Sequence, residues 1–405
     1  MEIKIAHPNS HCEGSINITG SKSETNRLLL LQALFKGFEL KNISNSDDSQ
    51  VMEKALQNLS NQIDIDHAGT AMRFLTAYFS HIEGRSVVIS GSSRMQERPI
   101  RILVDALRVL GASISYEKEE GFPPLQIHGK KLNGGKVELL ADVSSQYISA
   151  LLLLGPVLEQ GLELHLIGKI TSIPYIKMTL SLLNSIGVTT SFEGQIINVL
   201  PLKESKKVTQ TIESDWSSAS YFFSIVALSK AAEIHLTSFS QKSLQGDSIL
   251  RSIYKDLCVS SHFAGDTLIL KKENKHPPTS LQLDLSKSPD IAQTIAVTCY
   301  GLGIGCDLMG LHTLKIKETD RLEALNVELS KLGANIKVTS NSLHLSAGIN
   351  FKENCSISTY NDHRMAMAFA PLALKIPLKI EEAGVVSKSY PDFWKDLKKL
   401  NFQIN

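Results

Sequence analysis

The chain repeats a pattern in which a polar, cap-forming start leads into a run of apolar residues. One start, Gly20-Ser21-Lys22-Ser23, runs into Leu28-Leu29-Leu30-Leu31, and further starts lie at Asp66, Asp142, Asp215, Ser288 and Tyr360. After a shorter first interval the starts recur roughly every 72–76 residues, a spacing that favours repeated subdomains over a solenoid. Several apolar runs precede a strand-like stretch and a more amphipathic helix. The pattern therefore predicts six β/α units, each with one buried and one surface helix.

The start at Gly20 carries the first candidate chemistry. Ser21 and Glu24 have the spacing of a capping box, which predicts a helix beginning here. Unpaired N–H groups and the positive end of the helix dipole suit an anion at such a start. Lys22 and Arg27 add positive charge, and Ser23 lies on the same helix face as Arg27. An ordinary capped helix with solvated basic residues would give the same pattern.

Size and composition limit the classes of protein that the chain can belong to. Its 405 residues exceed what one hydrophobic core usually supports, so two domains are expected. A net charge of +1 argues against a nucleic-acid partner or a membrane surface held by bulk electrostatics. Met1 to Pro8 alternates like a strand and lacks the apolar segment of a signal peptide. The five cysteines are scattered without a CxxC pair, which indicates reduced thiols in a cytoplasm and no zinc site.

Five other segments carry candidate chemistry, and each also has an ordinary structural explanation. If Lys315 to Arg321 is helical, Lys317 and Arg321 share one face, as they would on a salt-bridged surface helix. A His-Arg pair opens the apolar stretch at His363, where a charge at a buried helix start needs a partner. The remaining segments are Gln96 to Ile100, Ser144-Ser145-Gln146 and Ala68 to Arg73, which also fit a turn, an N-cap and tight helix packing.

As an ordered set, these segments resemble the 5-enolpyruvylshikimate-3-phosphate synthases of the enolpyruvyl transferase family. The resemblance runs from Gly20 to Asp392, essentially the whole chain. It implies a mixed α/β (α+β) fold of two similar domains, each with three βαβαββ repeats, and an active site in the interdomain cleft. Residues 1–20 and 214–405 would form the domain that contains both termini, with 21–213 inserted. The place of the N-terminal strand in that domain follows from the resemblance alone.

The same resemblance implies a reaction and its partners. The enolpyruvyl group of phosphoenolpyruvate would move to the 5-hydroxyl of shikimate 3-phosphate with release of phosphate, a step of chorismate and aromatic amino acid biosynthesis. No metal or organic cofactor is implied. The expected partners are these two small molecules, with no nucleic acid and no membrane, and the expected form is a cytoplasmic monomer.

Site residues are carried over at the positions that match the family's motifs. Asp290 would be the base at the 5-hydroxyl, Glu318 or Lys388 would protonate the methylene carbon, and Lys22 completes the catalytic candidates. The inserted domain would mainly bind shikimate 3-phosphate, and the other domain would carry the base and the phosphoenolpyruvate side. The residues expected at shikimate 3-phosphate are Lys22, Ser23, Arg27, Ser144, Ser145, Gln146, Ser172, Tyr175, Asp290 and Lys317. Those expected at phosphoenolpyruvate are Lys22, Gly69, Arg98, Gln146, Arg321, Arg364 and Lys388.

Three residues depart from the family's pattern, and two other functions remain open. His67 and Thr313 replace asparagines, and Phe74 replaces a proline. One alternative is a UDP-N-acetylglucosamine enolpyruvyl transferase, which typically has a cysteine that is missing from Gly91 to Pro99. The other is a non-catalytic scaffold built from the same repeats, although the basic residues at helix starts argue against it.

Overall fold

The structure of the protein is a computed structural model that describes residues 1–141, 144–168, 170, 173–204 and 207–405. The chain divides into two compact units. Unit 1 contains Met1–Thr19 and Glu213–Asn405, and unit 2 contains Gly20–Ile212. These bounds lie one residue before the predicted domain bounds, which themselves stay a prediction.

Both units combine helices and strands. The helices are α1 (Lys22–Leu34), α2 (Asp47–Gln57), α3 (Gly69–His81), α4 (Ser93–Gln96), α5 (Arg101–Val109), α6 (Ser145–Leu154), α7 (Ile173–Ser185), α8 (Trp216–Leu228), α9 (Leu250–Asp256), α10 (Ala292–Leu302), α11 (Arg321–Lys331), α12 (His363–Phe369) and α13 (Phe393–Lys399). Short 3-10 helices cover Gly155–Val157, Gly246–Ile249, Pro289–Ile291, His312–Ile316, Ala370–Leu374 and Ala383–Lys388.

The strands are β1 (Ile3–Ala6), β2 (His11–Ile16), β3 (Phe38–Lys41), β4 (Gln62–Asp64), β5 (Ser86–Ser90), β6 (Ser113–Tyr116), β7 (Leu125–His128), β8 (Gly135–Leu140), β9 (Leu162–Ile167), β10 (Thr190–Glu193), β11 (Ile196–Val199), β12 (Val208–Thr211), β13 (Ala231–Leu236), β14 (Val259–Ala264), β15 (Thr267–Lys272), β16 (Ser280–Asp284), β17 (Gly305–Met309), β18 (Ile336–Val338), β19 (Leu343–Leu345), β20 (Ser356–Ile357), β21 (Leu378–Ile380) and β22 (Gln403–Ile404). The predicted mixed α/β fold is confirmed.

One sheet pattern recurs in the described part of the chain. In unit 2 the order β4-β5-β7-β6 combines a parallel pair, β4 and β5, with two antiparallel pairs, and β8-β9-β11-β10 repeats it. In unit 1 the same pattern appears in β2-β13-β15-β14, β16-β17-β19-β18 and β20-β21-β1-β22. The sixth repeat has only the parallel pair β3 and β12. Each four-stranded repeat thus has the βαβαββ pattern, with β1 and β2 supplied from the start of the chain.

Each unit has its own apolar core, and the predicted buried helices form it. Leu28–Leu31 of α1 are at most 3% exposed, as the leucine run predicts. In unit 1 every residue of α8 except Ser217 is buried, and α10 is buried up to Gly301. A helix that is apolar on all sides belongs in the interior. The first turns of these helices carry polar residues, such as Ser218 of α8 and Gln293 of α10, so the fold presents candidate chemistry at those ends.

One local prediction needs correction, and one conditional helix does not form. Helix α1 begins directly after Ser21 as expected, but the Ser21 side chain makes no capping hydrogen bond. Its backbone carbonyl already accepts from Thr25 N at 2.8 Å, and burial of the leucines stabilises the helix without the cap. The condition under which Lys317 and Arg321 would share one helix face is not met, because a 3-10 turn ends at Ile316 and α11 begins only at Arg321.

No helix within the described ranges has the length and apolar character needed to cross a membrane.

Candidate active site

In unit 2, Lys22 lies at the first position of α1 and faces an acidic residue of α2. Its Nζ atom is 3.4 Å from Asp48 Oδ2. His67 Nε2 is 3.9 Å from the other oxygen of the same carboxylate, and His67 Nδ1 is 2.9 Å from Asp66 Oδ2. The structure therefore puts Lys22 and His67 on one carboxylate, a partner that the sequence motifs did not identify.

Arg27 is buried where α1, α6 and α7 pack together. Its guanidinium donates to Ser23 O at 2.7 Å, Thr179 Oγ1 at 2.8 Å and Ser149 Oγ at 2.8 Å. The rings of Phe74 and Tyr175 lie 5.4 and 5.8 Å from it. Burial lowers the pKa of Arg27 to about 10, so it stays charged at neutral pH. Arg27 thus ties three helices together, and its contact with a substrate stays a prediction.

Gly69 and Arg98 are brought into direct contact. A Cβ atom built on Gly69 would lie 2.5 Å from Arg98 Nη1 and 3.0 Å from Arg98 Cζ. The guanidinium packs on the first turn of α3 because this residue has no side chain. Within the described ranges nothing accepts a hydrogen bond from the Arg98 guanidinium or forms an ion pair with it. Arg98 is therefore a half-buried cation available to an anion.

The start of α6 lies close to the start of α3. Gln146 donates from Nε2 to Thr70 Oγ1 at 3.1 Å, while Ser144 Oγ caps the helix by accepting from Gln146 N at 3.4 Å. Ser145 is the first residue of α6, and Tyr175 lies in the first turn of α7. Ser172 lies outside the described residues.

In unit 1, Asp290 is surrounded by three of the predicted cations. Its carboxylate lies 2.9 Å from Arg321 Nη1, 3.3 Å from Arg364 Nη2 and 3.5 Å from Lys317 Nζ. Burial alone would raise the pKa of Asp290, but Lys317, Arg364 and Arg321 together hold it well below its usual range. The carboxylate is consequently ionised throughout the physiological pH range.

Arg321 is the centre of this cluster and is 2% exposed. Besides Asp290, it donates to Asp362 Oδ2 at 2.6 Å and to Glu318 Oε2 at 2.8 Å. Asp362 also caps α12 by accepting from Arg364 N at 2.8 Å. The sequence analysis did not name Asp362 as a site residue, although its position directly before the His-Arg pair could have indicated it.

Lys388 joins the same region through the backbone. Its Nζ donates to Asn361 O at 2.7 Å, one residue before Asp362. The structure thus brings Asp290, Lys317, Glu318, Arg321 and Arg364 together and puts Lys388 at the start of α12. The Oγ1 atom of Thr313 is buried with no partner in the described part of the chain.

A second buried carboxyl near Asp290 was missed by the sequence analysis. Asp247 Oδ2 accepts from Ser217 Oγ at 2.5 Å, and Ser217 Oγ also accepts from Arg364 Nη2 at 3.4 Å. Burial, followed by the negative charge of Asp290, raises the pKa of Asp247 to about 6. Asp247 lies outside the repeated helix starts, so the pattern contained no signal for it.

Among the described residues, no group of three or more His, Cys, Asp or Glu side chains is placed to hold a metal ion.

Comparison with known proteins identifies the family. A family model described as EPSP synthase (3-phosphoshikimate 1-carboxyvinyltransferase) matches residues 60–397. The chain is 47% identical over 399 residues to a 3-phosphoshikimate 1-carboxyvinyltransferase of Bacteroides fragilis, covering 98% of this chain and 97% of the relative. It is 34% identical over 436 residues to the enzyme of that name from Mannheimia haemolytica, covering 99% of this chain and 100% of the relative.

The fold agrees with a solved structure of an EPSP synthase from Acinetobacter baumannii. The TM-score is 0.82 at 19% sequence identity, with 100% of this chain and 99% of that chain covered. At this identity the match supports the fold alone, whereas the family model and the curated relatives carry the family assignment. The chain belongs to the EPSP synthase (3-phosphoshikimate 1-carboxyvinyltransferase) family.

Proposed function

We propose that the protein transfers the enolpyruvyl group of phosphoenolpyruvate to the 5-hydroxyl of shikimate 3-phosphate and releases phosphate. The reaction would serve chorismate and aromatic amino acid biosynthesis. The observation that carries the proposal is Asp290 in contact with Lys317, Arg321 and Arg364, since this pairs a base with groups that bind anions. The two substrates bring phosphates and carboxylates, for which such cations are suited.

Unit 2 would supply further anion-binding groups. Arg98 lacks an acidic partner in the described ranges, and Lys22 lies at a helix N-terminus. On this proposal Arg98, Gly69 and Gln146 bind phosphoenolpyruvate, whereas the starts of α1, α6 and α7 bind shikimate 3-phosphate. We propose that units 1 and 2 are the two domains and that both serve one pair of substrates.

The protonation state of Asp290 is part of the proposed mechanism. A carboxylate with a pKa far below its usual range is a weak base, because the ideal catalytic pKa lies near the working pH. Anionic groups of the substrates would compete for Lys317 and Arg364 and so reduce the positive field at Asp290. Its pKa would then rise, and the carboxylate could accept the proton of the 5-hydroxyl as that oxygen attacks carbon 2 of phosphoenolpyruvate.

The acid that protonates the methylene carbon is one of two groups. Glu318 accepts a hydrogen bond from Arg321, whereas Lys388 donates to a backbone carbonyl. Arg321 and Arg364 would stabilise the negative charge of the tetrahedral intermediate.

The proposed setting is a cytoplasmic monomer. Cys12, Cys258, Cys299, Cys306 and Cys355 are free thiols, which supports a reducing compartment. Light scattering coupled to size-exclusion chromatography would measure the oligomeric state directly.

A coupled phosphate-release assay tests the function. Phosphate release is expected with phosphoenolpyruvate and shikimate 3-phosphate together and with neither alone. Release that depends instead on UDP-N-acetylglucosamine would favour the alternative transferase, and no release with either acceptor would favour a non-catalytic scaffold. Product identification by mass spectrometry separates phosphate formed by transfer from phosphate formed by simple hydrolysis of phosphoenolpyruvate.

A further inference from the structure

Arg73 of α3 is a buried cation that no acidic group of the described residues neutralises. It is 3% exposed, and no carboxylate of the described residues forms an ion pair with it. Burial, followed by the charge of Arg98, lowers the pKa of Arg73 to about 10, so the guanidinium remains protonated at neutral pH. Burying an unpaired charge costs free energy. A side chain that only filled space would not need to be charged.

Two hydrogen bonds of Arg73 link the first turn of α3, where Gly69 lies, to the residue that follows Arg98. Arg73 Nη2 donates to Pro99 O at 2.9 Å, directly after Arg98. Its Nη1 donates to Gly69 O at 3.3 Å and contacts Met95 Sδ at 3.4 Å. One guanidinium therefore holds the segment that carries Arg98 against the first turn of α3.

Tyr147 of α6 supports the same arrangement. Its hydroxyl donates to Pro99 O at 2.5 Å, and its ring lies 5.8 Å from the Arg73 guanidinium. The Pro99 carbonyl thus accepts from two side chains on different helices. Arg73 Nε has no hydrogen-bond partner in the described part of the chain. Good hydrogen bonding of the whole guanidinium is therefore not the reason for its burial.

The inference rests on the proposed function of Arg98 and Gly69. We propose that Arg73 is a positioning residue for phosphoenolpyruvate: it fixes Arg98 on Gly69 and adds an unneutralised positive charge behind them. Without an anion, Arg73 and Arg98 repel each other. An anion bound at Arg98 is attracted by both charges, so the cost of burying Arg73 is offset when substrate binds.

Three variants separate the positioning role from the charge. Arg73→Lys keeps the charge and loses the planar fork, whereas Arg73→Gln keeps a donor and loses the charge. Tyr147→Phe removes the second bond to Pro99 O and leaves the charge unchanged. Arg94→Gln is the control, because Arg94 is an exposed arginine of the neighbouring α4 that pairs with Glu97.

The measurements are kcat, the KM values of both substrates, and the melting temperature. Arg73→Gln is expected to raise the KM of phosphoenolpyruvate on the order of tenfold and to leave that of shikimate 3-phosphate within about twofold. Arg73→Lys is expected to raise it less. Tyr147→Phe should raise the KM of phosphoenolpyruvate slightly, and the control Arg94→Gln should leave it unchanged. Raising the salt concentration should weaken phosphoenolpyruvate use less in Arg73→Gln than in the wild type, a response that a purely structural role would not produce.

Different failures have different meanings. Equal increases in both KM values that follow the loss of melting temperature would overturn the proposal in favour of a structural role, and so would unchanged kinetics. If the Arg73 variants do not fold, Tyr147→Phe decides, and an unchanged KM for phosphoenolpyruvate would overturn the positioning role. A wild type without turnover would instead refute the proposed function, on which this inference rests.

Discussion

At the scale of single residues, the contact between Gly69 and Arg98 shows how one missing side chain shapes the candidate site. Gly69 lies in the first turn of a helix, where any residue could adopt its backbone conformation. What excludes a side chain is the Arg98 guanidinium, 2.5 Å from the position of a Cβ atom. Because the guanidinium is the flexible end of a side chain, it can move aside without unfolding the helix.

We therefore predict that Gly69→Ala displaces Arg98 and raises the KM of phosphoenolpyruvate by about 10- to 100-fold, the loss expected when one charged contact is misplaced. The melting temperature should change little. Steady-state kinetics and calorimetry measure the two effects. Gly384→Ala is the control, since a Cβ at exposed Gly384 meets nothing within 4 Å. A KM within twofold of the wild type would contradict the prediction.

The Asp290 prediction concerns catalysis. Asp290→Asn removes the proposed base and keeps its shape, so turnover should fall by roughly 10²–10⁴ while affinity for shikimate 3-phosphate is retained. Turnover and equilibrium binding of shikimate 3-phosphate are measured separately. Near wild-type turnover would remove Asp290 from the mechanism.

The Asp247 prediction concerns stability and pH. Its pKa in the folded protein is about 6, above the usual 3.8, so the folded state binds this proton more tightly than the unfolded state. The resulting stabilisation is present below about pH 3.8 and is lost as the pH rises to about 6. Above that pH, ionised Asp247 costs stability relative to a neutral side chain, by at most about 3 kcal/mol.

Asp247→Asn should therefore be more stable than the wild type at pH 7.5, and the difference should shrink as the pH falls to 4. Urea unfolding at several pH values measures it. A difference that does not vary with pH would show that Asp247 has an ordinary pKa.

At the scale of elements, the apolar helices and their polar starts were predictable from short stretches of sequence. A run of apolar residues indicates a buried helix, and a capping residue before it indicates where the helix begins. The starts at Lys22, Gly69, Ser145 and His363 were recognised in this way. The break between Lys317 and Arg321 was not, since three charged or polar residues in a row fit either conformation. The partners of Arg27 and Lys22 could not be predicted either, because they come from helices distant in the chain. Such pairings depend on packing, which no local pattern specifies.

Asp320 decides where α11 begins, and this can be tested. Its Oδ1 accepts from Leu322 N and Glu323 N, both at 3.1 Å. Asp320→Ala should lower the free energy of unfolding by about 1 kcal/mol. Asp320→Asn should keep most of this stabilisation, because asparagine is also a good N-cap residue. Because Arg321 is the first residue of the helix, turnover should also fall in the alanine variant. Equal denaturation midpoints for all three proteins would contradict this account of the helix start.

At the scale of the whole molecule, the predicted repetition appears in the described part of the chain as five copies of one four-stranded sheet pattern and one shortened copy. If both units act on one pair of substrates, binding of both should make the protein more compact. Small-angle scattering is expected to give a smaller radius of gyration with shikimate 3-phosphate and phosphoenolpyruvate than with either alone. An unchanged radius would count against such closure.

The sheet β20-β21-β1-β22 joins opposite ends of the chain, with Ile3 opposite Ile380 and Ile5 opposite Ile404. A ribosome adds roughly 5–20 residues per second, so the partner strands β21 and β22 are synthesised tens of seconds after β1. Unit 2 is made from one uninterrupted stretch and can fold during that interval. Unit 2 would therefore fold before this sheet is complete, and β1 would remain an unpaired strand, open to chaperones or to aggregation, until translation is nearly over.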